Sequence, residues 1–222
     1  MAIAVFGATG RTGKLVLAEA AHRGWPVRAL VRDASRLPAR DGLVVQQGDT
    51  RDAAAVRSLL EGTGGKAGRA GAVICALGMS DITVPATDFS DSVKTIVSAM
   101  QASGVRRIVA IASAGVFEHP AGGYRNQQPD FPAYLKNISA EHVRNYETLK
   151  ASGLDWTLMC PMTLVDDIPV GSAKFEFEGL PPGSGETGYA DLAKTICDLL
   201  TERASIGQRV GIVSFRGGGD KA

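Results

Sequence analysis

The stretch Ile3-Ala-Val-Phe-Gly7-Ala-Thr-Gly10-Arg-Thr-Gly13 decides the fold. A short apolar run, the length of a buried strand, breaks into glycines at fixed offsets, and a helical pattern follows at once from Lys14 to His22. A second apolar run, Val27 to Val31, ends at Arg32. This is the order of parts in a dinucleotide-binding βαβ unit, and each glycine has a task in it. Gly7 makes the tight turn off the strand, Gly10 lets the backbone approach a pyrophosphate, and Gly13 lets the helix pack closely on the sheet. The helix then turns its unpaired N–H groups and the positive end of its dipole toward the phosphates. In a chain holding 27 glycines the spacing alone is a weak signal; its place between a strand and a helix makes it specific.

The end of the second strand bears on which dinucleotide is bound. An acidic residue there accepts from a ribose 2′-hydroxyl, whereas arginine suits a 2′-phosphate. Arg32 and Arg36, with Ser35 between them, fit a phosphate carrying nearly two negative charges, which favours NADPH. Asp33 is the counter-argument, since it serves a ribose if the strand ends one residue later.

With 222 residues, 45% hydrophobic and 21% charged, the chain has the balance of one globular α/β domain with a sizeable core. A formal net charge of +1 gives no reason to expect nucleic acid or an acidic membrane as partner. No apolar run approaches a membrane span, and Met1-Ala-Ile-Ala-Val lacks a charged signal-peptide start. Cys75, Cys160 and Cys197 lie far apart in apolar segments and read as reduced core residues, consistent with a cytoplasmic protein. Neither they nor His22, His119 and His142 have a metal-ligand spacing.

Strands are expected at Leu43–Gln47, Ala72–Leu77, Arg107–Ala112, Asp155–Cys160 and Arg209–Phe215. Helices are expected from Ala53 to Leu60 behind an Asp52 cap, from Asp88 to Ala102, from Asn137 to Ala151 and from Tyr189 to Leu200. The alternation implies a doubly wound parallel sheet, a Rossmann fold, in a single domain over residues 1–215. The glycine-rich run 62–68 reads as a flexible connection, because its lysine lacks the ending of a phosphate loop. Residues 117–132, aperiodic and rich in aromatics and prolines, form a candidate substrate lid. Residues 171–182 read as an irregular or short antiparallel excursion around Phe175 and Phe177, and 216–222 as a disordered tail.

Several segments together resemble one family. They are Phe6 to Gly13, Leu30 to Leu37, Gly48-Asp49, Ala76-Leu-Gly78, Ile111-Ala-Ser113, Glu141-His-Val-Arg144, Leu149 to Leu154 and Tyr189-Ala-Asp-Leu192. In this order they resemble the atypical short-chain dehydrogenase/reductases of the NAD(P)H-binding, NmrA-like group, and within it the flavin reductase/biliverdin-IXβ reductase branch. The resemblance implies that Thr9, Gly10, Arg11, Thr12 and Gly13 hold the pyrophosphate, and Arg32, Ser35 and Arg36 the 2′-phosphate. It places Asp49 and Thr50 at the adenine, Leu77, Gly78 and Met79 along the ribose and nicotinamide, and Pro161 at the nicotinamide border. Ser113 falls beside the nicotinamide, and His142 near the substrate pocket; both are candidate catalytic residues. Met162 stands where the branch carries a second pocket histidine, which removes one basis for recognising biliverdin.

Tyr146 and Lys150 have the Tyr-x-x-x-Lys spacing with which ordinary short-chain dehydrogenases protonate a carbonyl oxygen. They lie too close to the helix end at Gly153, and the family register puts that pair at Ser139 and Val143 instead. Without such a donor, a reductase needs an acceptor that takes hydride without help at an oxygen, and a flavin or quinone fits. The expected activity is therefore NADPH-dependent reduction of a small planar acceptor by a monomer or small homo-oligomer. Two alternatives stay open: a non-catalytic NADP-binding redox sensor of the NmrA-like type, and, more weakly, a sugar-nucleotide epimerase or dehydratase.

Overall fold

Strand β1 (Ile3–Phe6) is buried along its whole length and lies between two parallel neighbours. These are β2 (Val27–Val31), with Ile3 opposite Val27, and β4 (Ala72–Cys75), with Ile3 opposite Ala72. A strand covered on both faces has no polar alternation to show, which is why it reads as a plain apolar run. This computed structural model describes residues 1–38, 40–62, 68–79, 81–183 and 185–216. The expected connection at 62–68 and the expected tail therefore lie, apart from Gly62, Gly68 and Arg216, outside the described residues.

With β3 (Leu43–Gln47), β5 (Arg107–Ile111), β6 (Asp155–Pro161), β8 (Lys174–Phe177) and β10 (Gln208–Val213), the sheet runs in the order β3-β2-β1-β4-β5-β6-β10-β8. Every described pairing in it is parallel except β10 with β8. Helices α1 (Arg11–His22) and α5 (Tyr189–Thr201) cover one face. Helices α2 (Ala53–Glu61), α3 (Asp88–Ser103) and α4 (Lys136–Ala151) cover the other. This is the Rossmann arrangement expected from the alternation of elements. The sheet order reverses between β1 and β4, so the crevice used for ligands in such folds opens above their C-terminal ends.

Element ends differ from the expected ones by a residue or two, with local reasons. Strand β4 stops at Cys75, and the Ala76 amide adds one further bond to the Phe6 carbonyl. Asp52 caps α2, accepting from the amides of Ala54 at 2.8 Å and Ala55 at 3.3 Å. Helix α3 ends on Gly104 at φ +69°, a left-handed stop that favours glycine.

One pairing lies outside the sequence reading. The short strands β7 (Thr163–Val165) and β9 (Glu186–Gly188) form a separate parallel pair. Arg216, placed in the tail on sequence, is instead tied to Asp167 at 2.9 Å and to Glu186 at 2.8 Å beside this pair. Among the described residues no helix is long and apolar enough to cross a membrane, and none of the cysteines is paired. Burial pushes the Cys75 thiol up to about 11, so it is an inert core group at neutral pH.

Candidate functional site

The loops leaving the C-terminal ends of β1, β2, β3, β4, β5 and β6 carry nearly all the sequence-derived site residues. At the first, Gly7 has φ +82°, and a β-carbon on it would lie 2.3 Å from the Ala76 carbonyl oxygen. A β-carbon on Gly13 would lie 2.1 Å from the Gly7 carbonyl oxygen. Both positions therefore require glycine. Gly10 is less crowded, with the Gly7 oxygen 3.3 Å from such a carbon, and it is exposed at the mouth of the turn. Helix α1 starts behind it without a side-chain cap, so its first-turn amides have no partner within the helix. Thr9 is half-buried and Thr12 buried along this cradle. The cradle fits a pyrophosphate: the first-turn amides of α1 stand behind a turn whose positions 7 and 13 admit only glycine.

The Arg11 guanidinium is turned outward, 3.1 Å from Asp166 and 4.6 Å above the Tyr189 ring.

At the end of β2, Asp33 accepts from the Ser35 amide at 3.0 Å and from the Ser35 hydroxyl at 2.6 Å. These bonds hold its carboxyl below the usual carboxylate range. Asp33 and Ser35 thus satisfy each other in a tight turn, while Arg32 and Arg36 stay exposed, with no ion pair among the described residues. Asp49, after β3, takes three bonds from Arg51, to its amide at 2.8 Å and its side chain at 3.1 and 3.0 Å. The Arg51 guanidinium beside it holds the Asp49 carboxyl down at about 2. Arg51 reaches on to Asp88 at 3.0 Å, and Thr50 donates to Ser92 at 2.9 Å, so this loop is pinned to α3. Arg51 was not singled out on sequence; its only signal was a cation next to Asp49-Thr50.

Leu77 and Met79, after β4, are half-buried against the α3–α4 core. Gly78 between them is exposed, and a β-carbon there would meet nothing within 4 Å. Pro161 closes β6, buried and paired with Ile212. Met162 follows, its amide 3.3 Å from the Thr187 hydroxyl.

Ser113 leaves β5, and His142 sits one element later on α4. The structure brings them together: His142 Nδ1 lies 2.9 Å from Ser113 Oγ. The imidazole is only 8% exposed and meets Phe89 edge-on at 5.6 Å between centroids. Burial lowers its pKa to about 4, so it is neutral at physiological pH. Next to it Glu141 is fully buried, accepting from the Ser90 amide at 2.7 Å and from the Ser90 hydroxyl at 3.0 Å. It also accepts from Arg144 at 2.6 Å, which in turn reaches the Ala86 carbonyl at 3.2 Å. Glu141 therefore caps the start of α3 from outside, one residue from the Phe89 that meets His142. A Glu-His pair followed by an arginine reads as a solvated face, so sequence offered no sign of this role.

The Tyr146–Lys150 spacing, set aside on sequence, falls on a ring packed into the core. Tyr146 is 5% exposed, stacked edge-on against Trp156 and Tyr124, with the Arg209 guanidinium 4.8 Å over its ring. Ser139 is buried beside Gly115, and its hydroxyl has no hydrogen-bond partner among the described residues.

The candidate lid is folded rather than free. Phe117 is buried beneath Arg209, Phe131 lies against Gly115, and Tyr124 packs on Tyr146 while donating to Glu147. Beyond it Tyr134 is displayed, 68% exposed. Asn137 ties this region to the loop after β4, donating to the Ile82 carbonyl at 3.3 Å. No group of acidic, histidine or cysteine side chains among the described residues could hold a metal ion.

Compared with known proteins, residues 7–203 match the NAD(P)H-binding family. The YwnB protein of Bacillus subtilis is 24% identical over 96% of this chain and 99% of its own. Among solved structures, one described as an exported protein from Burkholderia pseudomallei is 26% identical and superposes with a TM-score of 0.80. That match covers 97% of this chain and 100% of the other. A candidate NADH-flavin reductase from Streptococcus pneumoniae is 22% identical with a TM-score of 0.78, covering 96% of this chain and 99% of its own. At that identity the last likeness shows the fold.

Proposed function

The chain belongs to the NAD(P)H-binding family, and from that premise we propose that it is an NADPH-dependent reductase of a flavin, quinone or similar planar acceptor. The observation that carries the proposal is the pairing of Ser113 with a neutral, buried His142 at the strand ends, with Tyr146 withdrawn beneath Arg209. Among the described residues Ser113 and a neutral His142 are not an acid matched to an alkoxide, so the site suits an acceptor that stabilises the incoming electron pair itself.

The residues share the work as follows. Backbone amides from Thr9 to Gly13 hold the pyrophosphate, and Gly7 and Gly13 keep the approach open. Arg32 and Arg36 take the 2′-phosphate, while Ser35 shapes the turn between them through Asp33. Asp49, kept ionised by Arg51, accepts from the adenine amine, with Thr50 holding that loop on α3. Leu77, Gly78, Met79 and Pro161 border the ribose and nicotinamide. When bound, NADPH supplies a hydride. Ser113 orients the acceptor or the carboxamide, with His142 fixing its hydroxyl, and the balancing proton comes from solvent.

Steady-state NADPH oxidation with FMN, FAD, riboflavin and a quinone, alongside NADPH and NADH titrations, tests this reading. Turnover of one of these acceptors is expected. One feature favours a non-catalytic NADP-binding sensor as second reading: Ser113 and His142 satisfy each other without any acceptor. Tight NADPH binding with no turnover would select the sensor.

A further inference from the structure

Strand β8, one of the two edge strands of the main sheet, is exposed at all its residues, and its sequence Lys174-Phe-Glu-Phe177 alternates charge with aromatic. Phe175 and Phe177 are 44% and 41% exposed, with ring centroids 5.8 Å apart on one face of the edge. The backbone pattern shows which groups this edge offers. The Glu178 amide donates to the Arg209 carbonyl at 2.7 Å, which sets the phase of the antiparallel ladder with β10. Lys174 and Glu176 then bond inward to β10, and the N–H and C=O groups of Phe175 and Phe177 point away from the sheet. An exposed edge with aromatic cover is a template for another strand.

We propose that β8 pairs with β8 of a second copy of this chain, antiparallel about a two-fold axis through Phe175, joining two sheets into one. Charge selects this register. Centred on Phe175, each Lys174 lies opposite Glu176 of the other copy, giving two opposite-charge pairs, while the Phe175 rings meet side by side. In the other registers that keep the outward groups facing each other, like charges oppose: Lys174 meets Lys174 when centred there, Glu176 meets Glu176 when centred there, and Glu176 meets Glu178 when centred on Phe177, which is destabilising. The pairing is independent of the proposed reductase chemistry.

The test is the mass of the full-length protein in solution, by light scattering and sedimentation, with circular dichroism and NADPH binding to confirm folding. Wild type is expected at twice the chain mass. Phe175→Pro should give a folded monomer, because the amide it removes points away from β10 and faces the partner. Lys174→Glu and Glu176→Lys should each be monomeric alone. Mixing the two should restore a dimer, and so should the double variant Lys174→Glu/Glu176→Lys. A wild type that stays monomeric at millimolar concentration overturns the proposal. So does a dimer that survives Phe175→Pro, or a double variant that stays monomeric.

Discussion

His142 Nδ1 stands 2.9 Å from Ser113 Oγ, a contact between the end of a strand and the middle of a helix that buries an imidazole beside a hydroxyl. The ring is neutral because burial, not a neighbouring charge, sets its pKa near 4. In the unfolded chain the ring titrates at its ordinary value of about 6.5. Its folded pKa is the lower of the two, so the unfolded state binds more protons between them. The stability is complete above about pH 6.5 and is lost as pH falls toward 4, by about 3 kcal/mol in all. Urea unfolding across this window should show that slope, and His142→Gln should flatten it. An unchanged slope in the variant would mean that another group carries the titration.

Between pH 6.5 and 8 the same imidazole does not change charge, so it gives no inflection to acceptor reduction. The kcat profile should be flat there. Ser113→Ala should lower kcat while leaving NADPH affinity within about twofold, since the hydroxyl lies outside the phosphate cradle. A tenfold loss of NADPH affinity instead would place Ser113 with the cofactor's binding groups.

Arg32 and Arg36 flank a turn whose own polar groups are already satisfied by Asp33 and Ser35. Each guanidinium is thus available to an incoming phosphate. Arg32→Ala and Arg36→Ala should each weaken NADPH binding by roughly tenfold, about 1.4 kcal/mol, and leave NADH nearly unchanged. Isothermal titration with both dinucleotides reads this directly. Equal losses for both would assign the arginines to something other than the 2′-phosphate.

The glycines of the first turn should not respond alike. Gly13→Ala drives a methyl to 2.1 Å from the Gly7 carbonyl oxygen, a backbone atom with no flexible side chain to yield, whereas Gly10→Ala meets that oxygen at 3.3 Å. Gly13→Ala is expected to cost about 2–4 kcal/mol or more of stability and to abolish NADPH binding. Gly10→Ala should fold with a nearly unchanged Tm and lose affinity, because its methyl stands in the path of the pyrophosphate. Thermal unfolding with and without NADPH separates the two.

What was legible in the chain follows from how each element meets its neighbours. Ile3–Phe6, Val27–Val31 and Arg107–Ile111 lie inside a parallel sheet with helices on both faces, so they appear as mostly apolar runs interrupted only by Arg28 and Arg107, and Gly13 is dictated by its contact with Gly7 in the same turn. The site beyond the cofactor turn was hidden because its contacts join distant segments. Glu141 is buried only because it caps α3 at Ser90, and Arg209 only because Glu178 and Glu118 surround it. Both look solvated in their own windows. The packing of residues 117–132 was hidden for the same reason: Phe117 and Tyr124 pack on Arg209 and Tyr146, whose proximity no local pattern reveals. Strands β7 and β9 are too short for any periodicity to register.

Tyr146 provides the sharpest contrast between motif and structure. Its spacing to Lys150 is that of a proton-donating pair, and Lys150 Nζ does lie 5.4 Å from the Tyr146 ring centroid. Yet the ring is enclosed by Trp156, Tyr124 and Arg209, and burial raises the phenol pKa, the opposite of what a proton donor at neutral pH needs. Tyr146→Phe should therefore keep kcat within about twofold, and Lys150→Ala likewise. Tyr146→Ala should instead destabilise the fold by about 3–5 kcal/mol, through the cavity left under Arg209, with little change in the kcat of the molecules that remain folded. Active-site titration alongside chemical denaturation distinguishes the two effects. A kcat reduced a hundredfold or more in Tyr146→Phe, at unchanged stability, would return this tyrosine to the chemistry and require an alkoxide-forming substrate in place of a planar acceptor.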